Sequence, residues 1–127
     1  MKKILIVDDS PEIVEVIQYI LEAAGYAVIA AAEGQSGVKK ALEESPDLII
    51  MDIVMPKMSG GEAVKILKAN EKTKDIPVIF LTGYFGKSDE NAGGKGINVG
   101  GHVYPCMGKP VGRDELLKFI SEQLKEI

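Results

Sequence analysis

Five side chains define the chemistry this sequence can support: Asp8, Asp9, Asp52, Thr82 and Lys109. Two carboxylates about 4 Å apart repel by ~4 kcal/mol at an effective dielectric of 20. Three in one pocket therefore stay ionised only beside a cation. A hard divalent ion with oxygen ligands meets that need, and Mg²⁺ is the commonest candidate beside phosphate. Lys109 adds a second, fixed positive charge. The same set describes a site for phosphoryl transfer, in which oxygens are neutralised and the attacking atom is held in line. A carboxylate can be that attacking atom, giving an acyl phosphate. Thr82 offers a hydroxyl donor, and Gly83 leaves room beside it.

These residues lie far apart in the chain, so the fold must gather them. Short apolar runs alternate with amphipathic segments. The runs 4–7, 26–31, 47–51 and 76–81 read as buried strands, and 102–107 as a weaker fifth. Ser10 and Pro11 read as N-cap and first residue of a helix in which Ile13, Val14, Ile17, Ile20, Leu21 and Ala24 point inward and which Gly25 ends. Further helices are expected over 35–44 (Val38, Ala41 and Leu42 inward), 62–70 (Ala63, Ile66 and Leu67 inward) and 113–125 (Leu116, Leu117, Ile120 and Leu124 inward). Strand and helix in alternation imply a doubly wound α/β fold, flavodoxin-like, with a five-stranded parallel sheet in the order 2-1-3-4-5. Sites in such sheets lie beyond the carboxyl ends of the strands. Asp8-Asp9, Asp52, Thr82-Gly83 and Lys109-Pro110 each follow or end a strand, so they should converge at one edge.

The composition is compatible with this reading. The 127 residues suit one domain over 1–127, with 46% hydrophobic and 27% charged residues, as in a soluble globular protein. No apolar run is long enough to cross a bilayer, and 4–7 is too short for a signal peptide. The net charge of −4, without a basic cluster, argues against nucleic acid as a direct partner. Cys106 is the single cysteine, so no internal disulfide can form, in keeping with a reducing cytoplasm. It reads as a small buried apolar group. His102, the single histidine, reads as a strand or surface residue with no phosphotransfer role.

The segments Ile4-Leu5-Ile6-Val7-Asp8-Asp9, Asp52-Ile53-Val54-Met55-Pro56, Phe80-Leu81-Thr82-Gly83 and Lys109-Pro110, with Met58-Ser59-Gly60, resemble the signature set of response-regulator receiver domains. The resemblance spans residues 2–125. It implies that Asp52 accepts a phosphoryl group. It implies that Asp9, and Asp8 directly or through water, hold Mg²⁺ together with Asp52 and the backbone carbonyl of Val54. Thr82 would be a switch hydroxyl, Lys109 would pair with a phosphoryl oxygen, and Pro110 would be cis. The implied partners are a sensor histidine kinase or histidine phosphotransfer protein and a downstream protein, in a cytoplasmic monomer or weak homodimer. The chain would catalyse only its own phosphorylation and dephosphorylation.

The sequence departs from that pattern between residues 84 and 101, which hold six glycines. Each disfavours a helix by ~1 kcal/mol relative to alanine, so the fourth helix of the family is expected to be short, irregular or a loop. The family's switch aromatic stands three residues before the lysine, where this chain has Cys106. Tyr104 lies two residues earlier. Either Tyr104 serves through a bulge at Pro105, or the coupling is absent. A proline there suits an edge strand.

Blander readings stand beside these. Asp8-Asp9 could cap a helix, Thr82 could be an ordinary strand residue, and Lys109 could be a solvated loop lysine. Other functions fit less well. A pseudo-receiver that signals without phosphate would suit the glycine-rich segment but not the full set of acidic residues and lysine. An aspartate-nucleophile phosphatase needs an aspartate where Val54 stands, and a flavin-binding protein needs a phosphate loop after the first strand.

Overall fold

The computed structural model describes residues 1–83, 97–109 and 112–124. β1 (Lys3–Val7), β2 (Ala27–Ala31), β3 (Leu48–Asp52), β4 (Val78–Thr82) and β7 (Cys106–Gly108) form one sheet in the order β2-β1-β3-β4-β7. All four pairings are parallel. This is the doubly wound order expected, with the outer place taken by only three residues.

Both faces of the sheet are covered. Ile4, Ile6, Leu48, Ile50, Ile79, Leu81 and Met107 pack with Ile17, Ile20 and Leu21 of α1 (Pro11–Ala23) and Leu116 and Ile120 of α4 (Arg113–Leu124). On the other face Leu5, Val7, Ile49, Met51, Phe80 and Cys106 meet Ala41 of α2 (Gly34–Glu44) and Ala63, Val64 and Leu67 of α3 (Gly60–Lys68). Strands buried on both faces need continuous apolar runs, which is why these were readable.

The helix ends follow local chemistry. The Ser10 hydroxyl accepts from Ile13 N, with Pro11 next in line. Gly25, at φ +98°, donates to Glu22 O while Tyr26 donates to Leu21 O, so α1 closes on two bonded carbonyls. Ala24, expected inward, is exposed at this cap. Ile66, also expected inward, is 44% exposed, and Val64 is buried in its stead. The helix begins at Gly60, so the inward face is set by Gly60, Ala63, Val64 and Leu67.

The expected fifth strand over 102–107 is not one strand. β6 (His102–Tyr104) pairs antiparallel with β5 (Ile97–Val99), while Cys106 opens β7. Pro105 lies at the break: it lacks an N–H, yet its carbonyl accepts from Phe80 N at 2.9 Å. Gly100 and Gly101, at φ +59° and +90°, make the two-residue turn between β5 and β6. Thus 97–101, expected to be irregular, is half of a hairpin. The remainder of the expected fourth-helix region, 84–96, lies outside the described residues, as does Pro110. No helix among the described residues is long and apolar enough to cross a membrane.

Candidate functional site

At the end of β1, Asp8 keeps the sheet running for one more bond, donating its backbone N–H to Ala31 O. Its Oδ1 accepts from Ser10 N at 2.8 Å, so Asp8 also shapes the turn into α1. The cap of α1 is Ser10 rather than the acidic pair, and the turn into the helix uses only one oxygen of Asp8. The residue is 1% exposed. Its other oxygen, Oδ2, lies 2.8 Å from Lys109 Nζ, a contact of charge rather than a well-directed hydrogen bond. Asp9 follows on the exposed side.

Asp52 is the last residue of β3 and is 4% exposed. Lys109 Nζ stands 3.3 Å from its Oδ1. Asp8, Asp9 and Asp52 each present an oxygen within 4.8 Å of the others. Burial, then repulsion from Asp8, raise the Asp52 pKa to about 6, against the pull of Lys109. Burial of Lys109 works to lower its own pKa, but the neighbouring Asp8 and Asp52 carboxylates outweigh that and raise it.

The backbone positions Lys109. Its N–H donates to Thr82 O at 2.8 Å, extending the β4–β7 ladder past Gly108. Thr82, half-buried, thus ends its strand beside the start of the lysine segment. Among the described residues, a Cβ added at Gly83 would meet only Lys109 Cδ, at 4.0 Å.

The loop from β3 to α3 carries Val54, which is 77% exposed. Two features that the acidic pattern alone does not reveal hold this loop. Gly60 N donates to Ile53 O at 2.8 Å, and a Cβ on Gly60 would collide with Asp52 O. Ser59 and Glu62 form a reciprocal capping box that fixes where α3 begins. The Ser59-x-x-Glu62 spacing was a readable signal for it.

The donor set suits a divalent cation. With all groups ionised, three carboxylates and one ammonium leave a net charge of −2, and Asp8 Oδ2 is buried without a directed donor among the described residues. Hard oxygen donors of this kind are those Mg²⁺ takes.

The model of the response regulator receiver domain matches residues 4–121. The chain belongs to the response regulator receiver family. Receiver domains are signalling modules of two-component systems rather than enzymes in the ordinary sense. The chain is 40% identical to Protein PilH of Pseudomonas aeruginosa over 124 residues, 98% of each. It is 41% identical to the alkaline phosphatase synthesis transcriptional regulatory protein PhoP of Bacillus subtilis over 109 residues, 86% of this chain but 42% of PhoP. Among solved structures it resembles the receiver domain of a sensor histidine kinase from Pseudomonas aeruginosa, at 28% identity and TM-score 0.83, covering 98% of each chain. That structure has a magnesium ion coordinated in its active site cleft.

Proposed function

We propose that this receiver accepts a phosphoryl group on Asp52 from a phosphohistidine donor, a sensor histidine kinase or a histidine phosphotransfer protein. The observation that carries the reading is the meeting of three carboxylates within 4.8 Å, with Lys109 3.3 Å from the acceptor. Asp8 and Asp9, with Asp52 and the backbone carbonyl of Val54, would hold Mg²⁺, directly or through water. A bound Mg²⁺ supplies positive charge for the carboxylates and the incoming phosphoryl oxygens.

The chain's own groups do the rest. An ionised Asp52 oxygen attacks phosphorus in line with the departing imidazole nitrogen. The new O–P bond forms as the P–N bond breaks, and the freed electron pair stays on the imidazole. Lys109, already beside Asp52, pairs with one phosphoryl oxygen, and the Thr82 hydroxyl donates to another. Hydrolysis later returns Asp52 to the free carboxylate. The aspartyl phosphate changes the charge at the carboxyl edge of the sheet and so biases a two-state element that a downstream protein partner reads. The setting is cytoplasmic, where the buried Cys106 stays a thiol.

The test is incubation with acetyl phosphate and Mg²⁺, followed by intact mass. Wild type should gain one phosphoryl group and Asp52→Asn none. A folded wild type that gains none would instead support the pseudo-receiver reading, a binding module independent of phosphate.

A further inference from the structure

Tyr104 does not occupy the place its sequence neighbourhood suggests. Thr82 pairs with Gly108, four residues beyond Tyr104, which is roughly 13 Å of extended chain. The aromatic therefore sits well back from the phosphoryl edge of the sheet. Cys106, on the same face and closer to that edge, is small and buried. Among the described residues, Tyr104 does not stand where it could exchange position directly with Thr82.

The Tyr104 ring is held by other contacts. It meets Phe80 edge to face, with centroids 5.8 Å apart at 84°. Lys68 Nζ, at the end of α3, stands 5.7 Å from the ring centroid. Lys68 is itself fixed, donating to Ile76 O at 2.6 Å and Lys74 O at 2.9 Å. Its partial burial lowers its pKa, against the pull of Asp75. Tyr104 also closes β6, whose ladder to β5 sets Ile97 and Val99 against the core beside α3. Among the described residues the hairpin pairs with no other strand.

We infer that Lys68 is a positioning residue: with Tyr104 it forms a latch that ties the β5–β6 hairpin to α3, and release of this latch carries the state of the site to the surface. Phe80 connects the two ends. Its N–H bonds Pro105 O, next to Tyr104, and two residues later β4 ends at Thr82, whose carbonyl holds Lys109 N. A shift of Lys109 toward a phosphoryl group would pull on the same β4–β7 pair from which the latch hangs. The latch stands on its own contacts, whereas its coupling to the site rests on phosphorylation of Asp52.

Amide hydrogen exchange over 97–104 tests both parts. Lys68→Met keeps the apolar stem and removes the charge, and Tyr104→Leu removes the ring. In the unphosphorylated protein each should speed hairpin exchange about fivefold, with the double variant no faster than the singles and the β1 and β3 amides unchanged. Hairpin exchange equal to wild type in Lys68→Met, or rates that multiply in the double variant, would overturn the latch. A wild type shown by mass to carry phosphoryl should exchange faster over the same residues, and Lys68→Met should gain little more. Full phosphoryl uptake with unchanged hairpin exchange would overturn the coupling. Absence of uptake would count against the Asp52 reading alone, leaving the variant comparison to decide the latch.

Discussion

Gly60 and Asp52 are packed backbone to backbone, so tightly that a Cβ on Gly60 would overlap the Asp52 carbonyl oxygen. The first turn of α3 therefore rests on the residue proposed as phosphoryl acceptor. Gly60→Ala should force the β3–α3 loop away from Asp52. We expect a loss of about 1–3 kcal/mol in urea unfolding, typical of overpacking a buried contact, together with slower phosphoryl uptake from acetyl phosphate. Wild-type stability and uptake in this variant would show that the loop yields without strain.

The Asp52 pKa of about 6, against an ordinary aspartate value of 3.8, makes stability depend on pH in a defined direction. The folded value is the higher, so the native state binds the proton more tightly than the unfolded chain. Asp52 thus contributes stability that is complete below about pH 3.8 and is lost as pH rises through 6. Asp52→Asn cannot ionise and should escape that loss. In EDTA at pH 7.5 it should exceed wild type by on the order of 1–3 kcal/mol, and the difference should vanish near pH 4. Millimolar Mg²⁺ should raise the wild-type melting temperature and leave the variant with a smaller gain. Melting curves at the two pH values, with and without Mg²⁺, check all three points.

The acidic cluster was legible because each of its carboxylates ends a run that has to be apolar. Ile4–Val7 and Leu48–Met51 are buried on both faces, so the charge that follows marks the sheet's edge. The sequence was less informative where neighbours decide. Val64 rather than Ile66 is buried because α3 begins at Gly60, and apolar residues on both sides left its phase ambiguous. The two strands around Pro105 are three residues each, too short for alternation to separate them from one continuous strand. Yet Ile97-Asn98-Val99-Gly100-Gly101-His102-Val103-Tyr104 carries a hairpin signal, two glycines between alternating runs. The same two glycines that disfavour a helix supply the positive φ of the turn. The Lys68–Tyr104 contact joins α3 to β6 across 36 positions, and no local pattern marks it.

Lys109 faces two carboxylates, at 2.8 Å from Asp8 and 3.3 Å from Asp52. Lys109→Met keeps most of the side chain's length but leaves both carboxylates without their ammonium. In EDTA at pH 7.5 the variant should lose about 1–3 kcal/mol, below the cost of breaking a fully buried pair because the lysine is partly exposed. Mg²⁺ should bind more tightly, by roughly tenfold, since a neighbouring positive charge is gone. Phosphoryl uptake should nevertheless fall, because one phosphoryl oxygen loses its partner. Calorimetric Mg²⁺ titration beside intact-mass uptake separates these effects; weaker Mg²⁺ binding would mean that Lys109 orders the cluster more than it competes with the cation.

The hairpin turn permits a perturbation that leaves every acidic side chain and Lys109 in place. Gly101 sits at φ +90°, a conformation that β-branched side chains avoid, and none of the described residues lies within 4 Å of where its Cβ would be. Gly101→Val should therefore act through backbone strain alone, at a cost on the order of 1–2 kcal/mol. That cost falls on the β5–β6 turn, and because a phosphoryl group that loosens the hairpin is in turn favoured by a loosened hairpin, phosphoryl uptake should equal or exceed that of wild type. Amide exchange of Val99 and Val103 should quicken. If uptake falls in parallel with hairpin protection, the hairpin supports the geometry of the acidic site as well as responding to it, and the β4–β7 pair transmits strain in both directions.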